Sequence, residues 1–178
     1  ANKDPVTTAD LKANTILREG LIKNFPDTGW LSEETRDDHS RLEKKFVWIV
    51  DPIDGTKEYV SGIPEYAVSV ALVEQGQPVL AAVYNPATEE LFTAAYRKGV
   101  WLNGKAVNAE HTLTAKPVLL ASRSEIQRGE FEPFESFAKI RPCGSIAYKL
   151  ALVAAGMADA TFSLGPKNEW DIAAGVLL

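Results

Sequence analysis

The stretch Phe46-Val47-Trp48-Ile49-Val50-Asp51-Pro52-Ile53-Asp54-Gly55-Thr56 constrains the fold more than any other. Five consecutive apolar residues, Phe46 to Val50, suit a strand covered on both faces, so the chain must supply a layer above it and a layer below. That strand runs into two carboxylates three positions apart. Pro52 fixes the backbone between them, and Gly55 permits an unusual dihedral just after. Asp51 and Asp54 on one stiff turn repel each other unless a cation lies between them. Oxygen ligands on a rigid loop favour a hard divalent ion such as Mg²⁺. Thr56 then places a hydroxyl beside that ion. Two isolated aspartates would make only a solvated acidic turn. The full string, ending an apolar strand, points to a metal site.

With 178 residues and 46% hydrophobic content, the chain can build the core of one large domain or a domain and a half. Its net charge of -5 argues against a general binder of nucleic-acid polymers or membrane surfaces, either of which needs a basic face. A small anionic substrate stays open, because metals and a few lysines can hold one locally. No apolar run reaches the length of a membrane span, and no signal-peptide pattern is present at the N-terminus. Cys143 is the single cysteine, so no disulfide can form within the chain, which fits a reducing, cytoplasmic setting. Both ends read as cut: Ala1 opens almost directly onto a polar motif, and Leu178 falls within an apolar helical pattern.

Thr7 and Asp10 have capping-box spacing, which predicts a helix from there toward Phe25-Pro26 with an apolar stripe of Leu11, Ile16, Leu17 and Leu21. Asp10 reads first as a capping acid. Trp30 to Glu34 predicts a short strand ending in two acids, followed by a polar loop from Arg36 to Lys45. Glu33 and Glu34 are either solvated or contribute a third carboxylate to the metal. Tyr66 to Val107 predicts an antiparallel meander, with Asn103-Gly104 as a two-residue hairpin turn. Lys116-Pro117 marks a boundary. Val118 to Ala121 predicts a buried strand, Phe131 to Phe137 a short helix or loop, and Ile146 to Gly156 a helix with Ser145 at its N-cap. That helix start also suits a phosphate. Ala158 to Leu164 predicts a strand. Gly165 to Asp171 opens a last helix, for which Asp171 is either the cap or a distant metal ligand.

Together these segments resemble the inositol monophosphatase superfamily, from Val6-Thr7-Thr8-Ala9-Asp10 to Trp170-Asp171-Ile172-Ala173-Ala174-Gly175, with four motifs in the family's order. The resemblance implies an α+β, α/β layered sandwich: residues 1–116 as an N-terminal part with an antiparallel sheet and the metal motif, and 117–178 as an incomplete α/β part, together one catalytic unit. It implies Glu33, Asp51, the carbonyl of Ile53, Asp54 and Asp171 as ligands of two or three Mg²⁺ ions, with lithium inhibition. It makes Asp10 and Thr56 the pair that activates water, and Gly55, Thr56 and Ser145 contacts to phosphate or substrate, alongside Glu33, Ile53, Asp54 and Asp171. A homodimer is compatible with it. No role is implied for Cys143, His39 or His111. Lys57-Glu58-Tyr59 and Ser122-Arg123-Ser124 resemble the CysQ-type 3′(2′),5′-bisphosphate nucleotidases of sulfate assimilation, which predicts adenosine 3′,5′-bisphosphate as substrate. Lys57, Lys149 and Lys167 would then meet its second phosphate or simply be solvated. Inositol monophosphate, histidinol phosphate and sugar bisphosphates are the alternative substrates, and a non-catalytic metal- or nucleotide-binding remnant is a further reading.

Overall fold

The computed structural model describes residues 5–108 and 116–178. Its first sheet has seven strands in the order in which they occur: β1 (Gly29–Ser32), β2 (Phe46–Asp54), β3 (Ala67–Glu74), β4 (Gln77–Asn85), β5 (Glu90–Ala95), β6 (Gly99–Leu102) and β7 (Lys105–Ala106). Only β1 and β2 run parallel; the rest is the expected meander. The Asn103-Gly104 turn forms as read, with φ of 49° and 76° at its two residues, the left-handed geometry that this dipeptide accepts cheaply. Three short strands make a second, parallel sheet in the order β10 (Ala160–Thr161), β8 (Val118–Ala121), β9 (Lys139–Pro142). The strand predicted over 158–164 is thus two residues long; Gly165 and Pro166 follow in an irregular segment that cannot continue a ladder.

Helix α1 (Thr8–Asn24) packs on one face of the first sheet, against β2, while α5 (Glu169–Leu177) crosses the other face along β2, β3 and β4. Helix α4 (Ile146–Ala154) packs beside α5 and reaches β10 of the second sheet. The layers therefore alternate helix, sheet, helices, sheet. β2 is covered on both faces because α1 and α5 lie on opposite sides of it, as its apolar run demands. The main core fills the space between the first sheet and α4–α5, with Ala71, Val83, Phe92, Ala147, Ala151 and Ala174 essentially inaccessible. Many of these are alanines, which lets the helices approach the strands closely.

The stripe predicted for α1 is only half right. Leu11 and Ile16 are exposed, and the side turned to the sheet carries Asp10, Asn14, Leu17 and Leu21. Polar pairing explains the exchange. Asn14 accepts from the Ser32 hydroxyl at 2.7 Å and donates to Thr35 Oγ1 at 3.1 Å, which ties α1 to the turn after β1. The polar loop before β2 contains a 3-10 turn over Ser40–Glu43, and a second one covers Glu132–Phe134. Among the described residues no helix is long and apolar enough to cross a membrane. His111 lies outside the described residues.

Candidate active site

β2 does not stop at Val50. It continues through Asp51-Pro52-Ile53 to Asp54, with its register on β3 slipping between Asp51 and Asp54. Such an irregularity bends a strand and re-aims its side chains. Here it delivers both aspartates toward the end of α5. Asp171 sits in the first turn of that helix, capped by Asn168, whose backbone N–H donates to Asp171 Oδ2 at 2.8 Å. The two readings of Asp171, cap and ligand, are compatible: one carboxylate oxygen of each of Asp51, Asp54 and Asp171 lies within 4.8 Å of the others. Glu33, on the turn after β1, lines the same cavity; its backbone N–H donates to Val50 O at 3.3 Å, which fixes that turn beside β2. Glu34 is the neighbour that raises Glu33's pKa and does not line the cavity.

Crowded, poorly solvated carboxylates resist ionisation together. Burial and then Asp54, Glu33 and Asp171 push Asp51 well above the ordinary carboxylate range. Burial pushes Asp54 up to about 6 despite hydrogen bonds from Ser145 and Ala147. Glu33 keeps some exposed surface, yet partial desolvation and the charges of Glu34, Asp171 and Asp54 push it up to about 7. Three acids with raised pKa values, crowded by one another and by the neighbouring Asp171 carboxylate, form a strong trap for a cation. Their donors are all oxygen and come from rigid elements, so the set fits a divalent metal of the hard class.

Beside the acids, Gly55 (φ 94°) turns the chain into α2 (Thr56–Val60). The Thr56 hydroxyl lies 3.1 Å from Asp10 Oδ1 and 3.0 Å from the carbonyl oxygen of Ile53, its two acceptors. Asp10 is 1% exposed and closes the capping box of α1 by accepting from Thr7 N at 2.8 Å. Capping and pairing with Thr56 thus use the two oxygens of one carboxylate. The cavity that receives these groups has a volume of about 320 Å³ and also exposes Gly55, Ser145, Ser122, Ser124, Lys57 and Lys167.

The sequence-derived site residues therefore converge: Glu33, Asp51, Ile53, Asp54, Gly55, Thr56, Ser145 and Asp171 all line one cavity, with Asp10 directly behind Thr56. Lys149 differs from the solvated lysine that was the alternative expectation. It also lines the cavity but is 2% exposed, and its ammonium lies 3.9 Å from the buried carboxylate of Glu125. Burial pushes its pKa down. Sequence reasoning missed Glu125, which caps α3 (Arg123–Gln127) through Ser122; the Ser122-x-x-Glu125 spacing was the signal for it. Burial pushes the Cys143 thiol up to about 12, which leaves it unreactive at neutral pH.

The family model described as "Inositol monophosphatase family" matches residues 1–178. The inositol-1-monophosphatase of Rhizobium meliloti is 40% identical over 185 residues, covering 98% of this chain and 68% of the relative. In structure, the extragenic suppressor protein suhB of Bartonella henselae superposes with a TM-score of 0.86 at 33% identity, over 99% of this chain and 72% of that one. A dual specific IMPase/NADP phosphatase, solved with D-inositol-1-phosphate, superposes with a TM-score of 0.84 at 26% identity, over 98% and 69%. This chain thus spans about two thirds of the length of these relatives. It belongs to the inositol monophosphatase family, whose members are metal-dependent phosphatases that hydrolyse phosphate monoesters.

Proposed function

We propose that this chain carries a Mg²⁺-dependent site for phosphate monoesters of small polyols, with inositol monophosphate as the first substrate, and that parts 1–116 and 117–178 act as one catalytic unit. The observation that carries the reading is the convergence of carboxylates from β2 and α5, with Glu33 beside them, on a cavity that also exposes Thr56. Glu33, Asp51, the Ile53 carbonyl, Asp54 and Asp171 would hold the metal. When bound, two or three Mg²⁺ ions supply charge neutralisation at the phosphoryl oxygens and acidify the attacking water.

The protein's own groups do the rest. Asp10 accepts the Thr56 proton, which turns the hydroxyl oxygen into an acceptor for a water in the cavity. That water passes a proton to Thr56 Oγ1 as Thr56 passes its own to Asp10 Oδ1. Asp10 itself does not line the cavity, so it acts only through the threonine. Gly55 and Thr56 offer backbone N–H donors to the phosphoryl group.

A bisphosphate nucleotidase is a second reading, favoured by Lys57 and Lys167 on the cavity lining, where a second phosphate could be met. None of the three relatives above carries a nucleotidase name, whereas two are named for inositol phosphatase activity. The CysQ-type specificity read from Lys57-Glu58 therefore has no support from them. Phosphate release should be compared for inositol 1-phosphate, adenosine 3′,5′-bisphosphate, histidinol phosphate and fructose 1,6-bisphosphate, each in Mg²⁺ and in EDTA, with and without lithium. The highest kcat/KM on the inositol ester, abolished by EDTA and inhibited by lithium, is expected. Equal rates in EDTA and Mg²⁺ would rule out the metal site, and a clear preference for the nucleotide would install the second reading.

A further inference from the structure

We infer that Ser145 is a positioning residue for Asp54 and not a substrate contact, so that it governs metal affinity; the inference rests on the metal-site reading above. A serine hydroxyl has one proton and two lone pairs. Here the proton is spent on Asp54 Oδ2, at 2.7 Å. One lone pair accepts from the Tyr148 backbone N–H, at 2.9 Å, as the N-cap of α4. The Ala147 N–H donates to the same Asp54 oxygen, at 2.6 Å. Two donors therefore lock Oδ2 toward α4, leaving Asp54 Oδ1 as the oxygen able to face a cation shared with Asp51 and Asp171. The serine has no proton left for a phosphate.

The backbone supports the same assignment. Ser145 has φ 54° and ψ 118°, a conformation that a residue with a side chain adopts only under constraint. The constraint is visible next door. Gly144 N–H donates to Glu65 Oε2 at 2.8 Å, and a Cβ on Gly144 would meet Glu58 Cγ at 2.4 Å and Glu65 O at 2.7 Å. The chain is thus pinned between the loop after α2 and the start of α4. A merely structural N-cap could be relaxed; this one is held strained where its hydroxyl meets Asp54.

The test uses Ser145→Ala and Ser145→Gly. Glycine tolerates φ 54°, so it removes the hydroxyl without adding strain and separates that loss from misfolding, which thermal melting monitors. Mg²⁺ affinity is measured by calorimetry on the metal-free protein, and kcat and KM for inositol 1-phosphate across a Mg²⁺ series. Both variants are expected to bind Mg²⁺ about tenfold more weakly, the scale of one hydrogen bond to a charged group. Their KM at saturating Mg²⁺ should stay within about twofold of wild type. Unchanged Mg²⁺ affinity with a raised KM would make Ser145 a substrate contact, and no change in either would reduce it to a cap; both overturn the inference. A wild type that binds no Mg²⁺ would sink the metal reading and this role with it. Normal Mg²⁺ binding without turnover of the inositol ester would sink the substrate alone.

Discussion

At the scale of single residues the acids conflict with the stability of the metal-free fold. Asp51 is 1% exposed and half-buried Asp54 lies three residues on, so folding places like charges together without water to screen them. Asp51→Asn and Asp54→Asn are each expected to cost at least about 100-fold in kcat while leaving the metal-free melting temperature unchanged or higher. A large fall in that temperature for both variants would contradict the repulsion argument. Thr56→Ala should behave differently: a loss of about 10²- to 10⁴-fold in kcat, the range for general acid–base catalysis, with Mg²⁺ affinity near wild type by calorimetry. The motif's residue types were legible because their chemistry is local: two carboxylates, a proline, a glycine and a threonine within six positions. The Ser145–Asp54 bond spans 91 residues, and no spacing rule reaches that far.

At the scale of elements, α4 and α5 meet where Gly175 faces Leu150. An added Cβ would lie 2.4 Å from Leu150 Cδ1 and 2.6 Å from its Cβ. Alanine would gain about 1 kcal/mol in helix propensity, whereas overpacking a tight core costs about 1–3 kcal/mol. Because Leu150 Cβ cannot swing away, the clash should win, and Gly175→Ala is expected to lower the denaturation midpoint in urea. An increase would show that the helix pair has slack. The elements that sequence patterns locate well are those whose residues face one environment. β3 alternates buried and half-buried positions along its whole length, and the Asn103-Gly104 turn needs no tertiary information. α1 misled because its sheet-facing side carries Asp10 and Asn14, polar residues that also find partners farther along the chain, in Thr56 and Ser32. The continuation of β2 past Pro52 was hidden for a related reason: a proline reads as the end of a strand, and only the partner strand shows that pairing resumes at Asp54.

For the whole molecule, the proposed metal site makes pH and metal act on the same groups. Glu33 at about 7, Asp54 at about 6 and Asp51 well above its ordinary range all hold protons more tightly when folded than when unfolded. Their contribution is therefore most favourable below the unfolded values near pH 4 and is lost as pH rises toward 7. On the proposed reading Mg²⁺ bound there would offset that loss, so the rise in melting temperature on adding Mg²⁺ is expected to grow between about pH 5 and pH 7. A rise independent of pH would exclude these acids as the binding site. At a hundred times its Kd the metal should add about 2.7 kcal/mol, or roughly 5–10 °C for a chain of this size. The layered architecture and the meeting of its two parts were legible only through the family resemblance, because α5 crosses back onto β2, β3 and β4 by tertiary packing that no local pattern encodes. That return has a consequence for biosynthesis. A ribosome releases β2 long before α5, and early segments of a nascent chain fold first. Asp51 and Asp54 then stand with Glu33 but without Asp171, a carboxylate set that lacks one member. On the proposed reading the acid set is complete only once α5 has docked on β2, so a chain growing past β2 holds its carboxylates apart until that helix arrives.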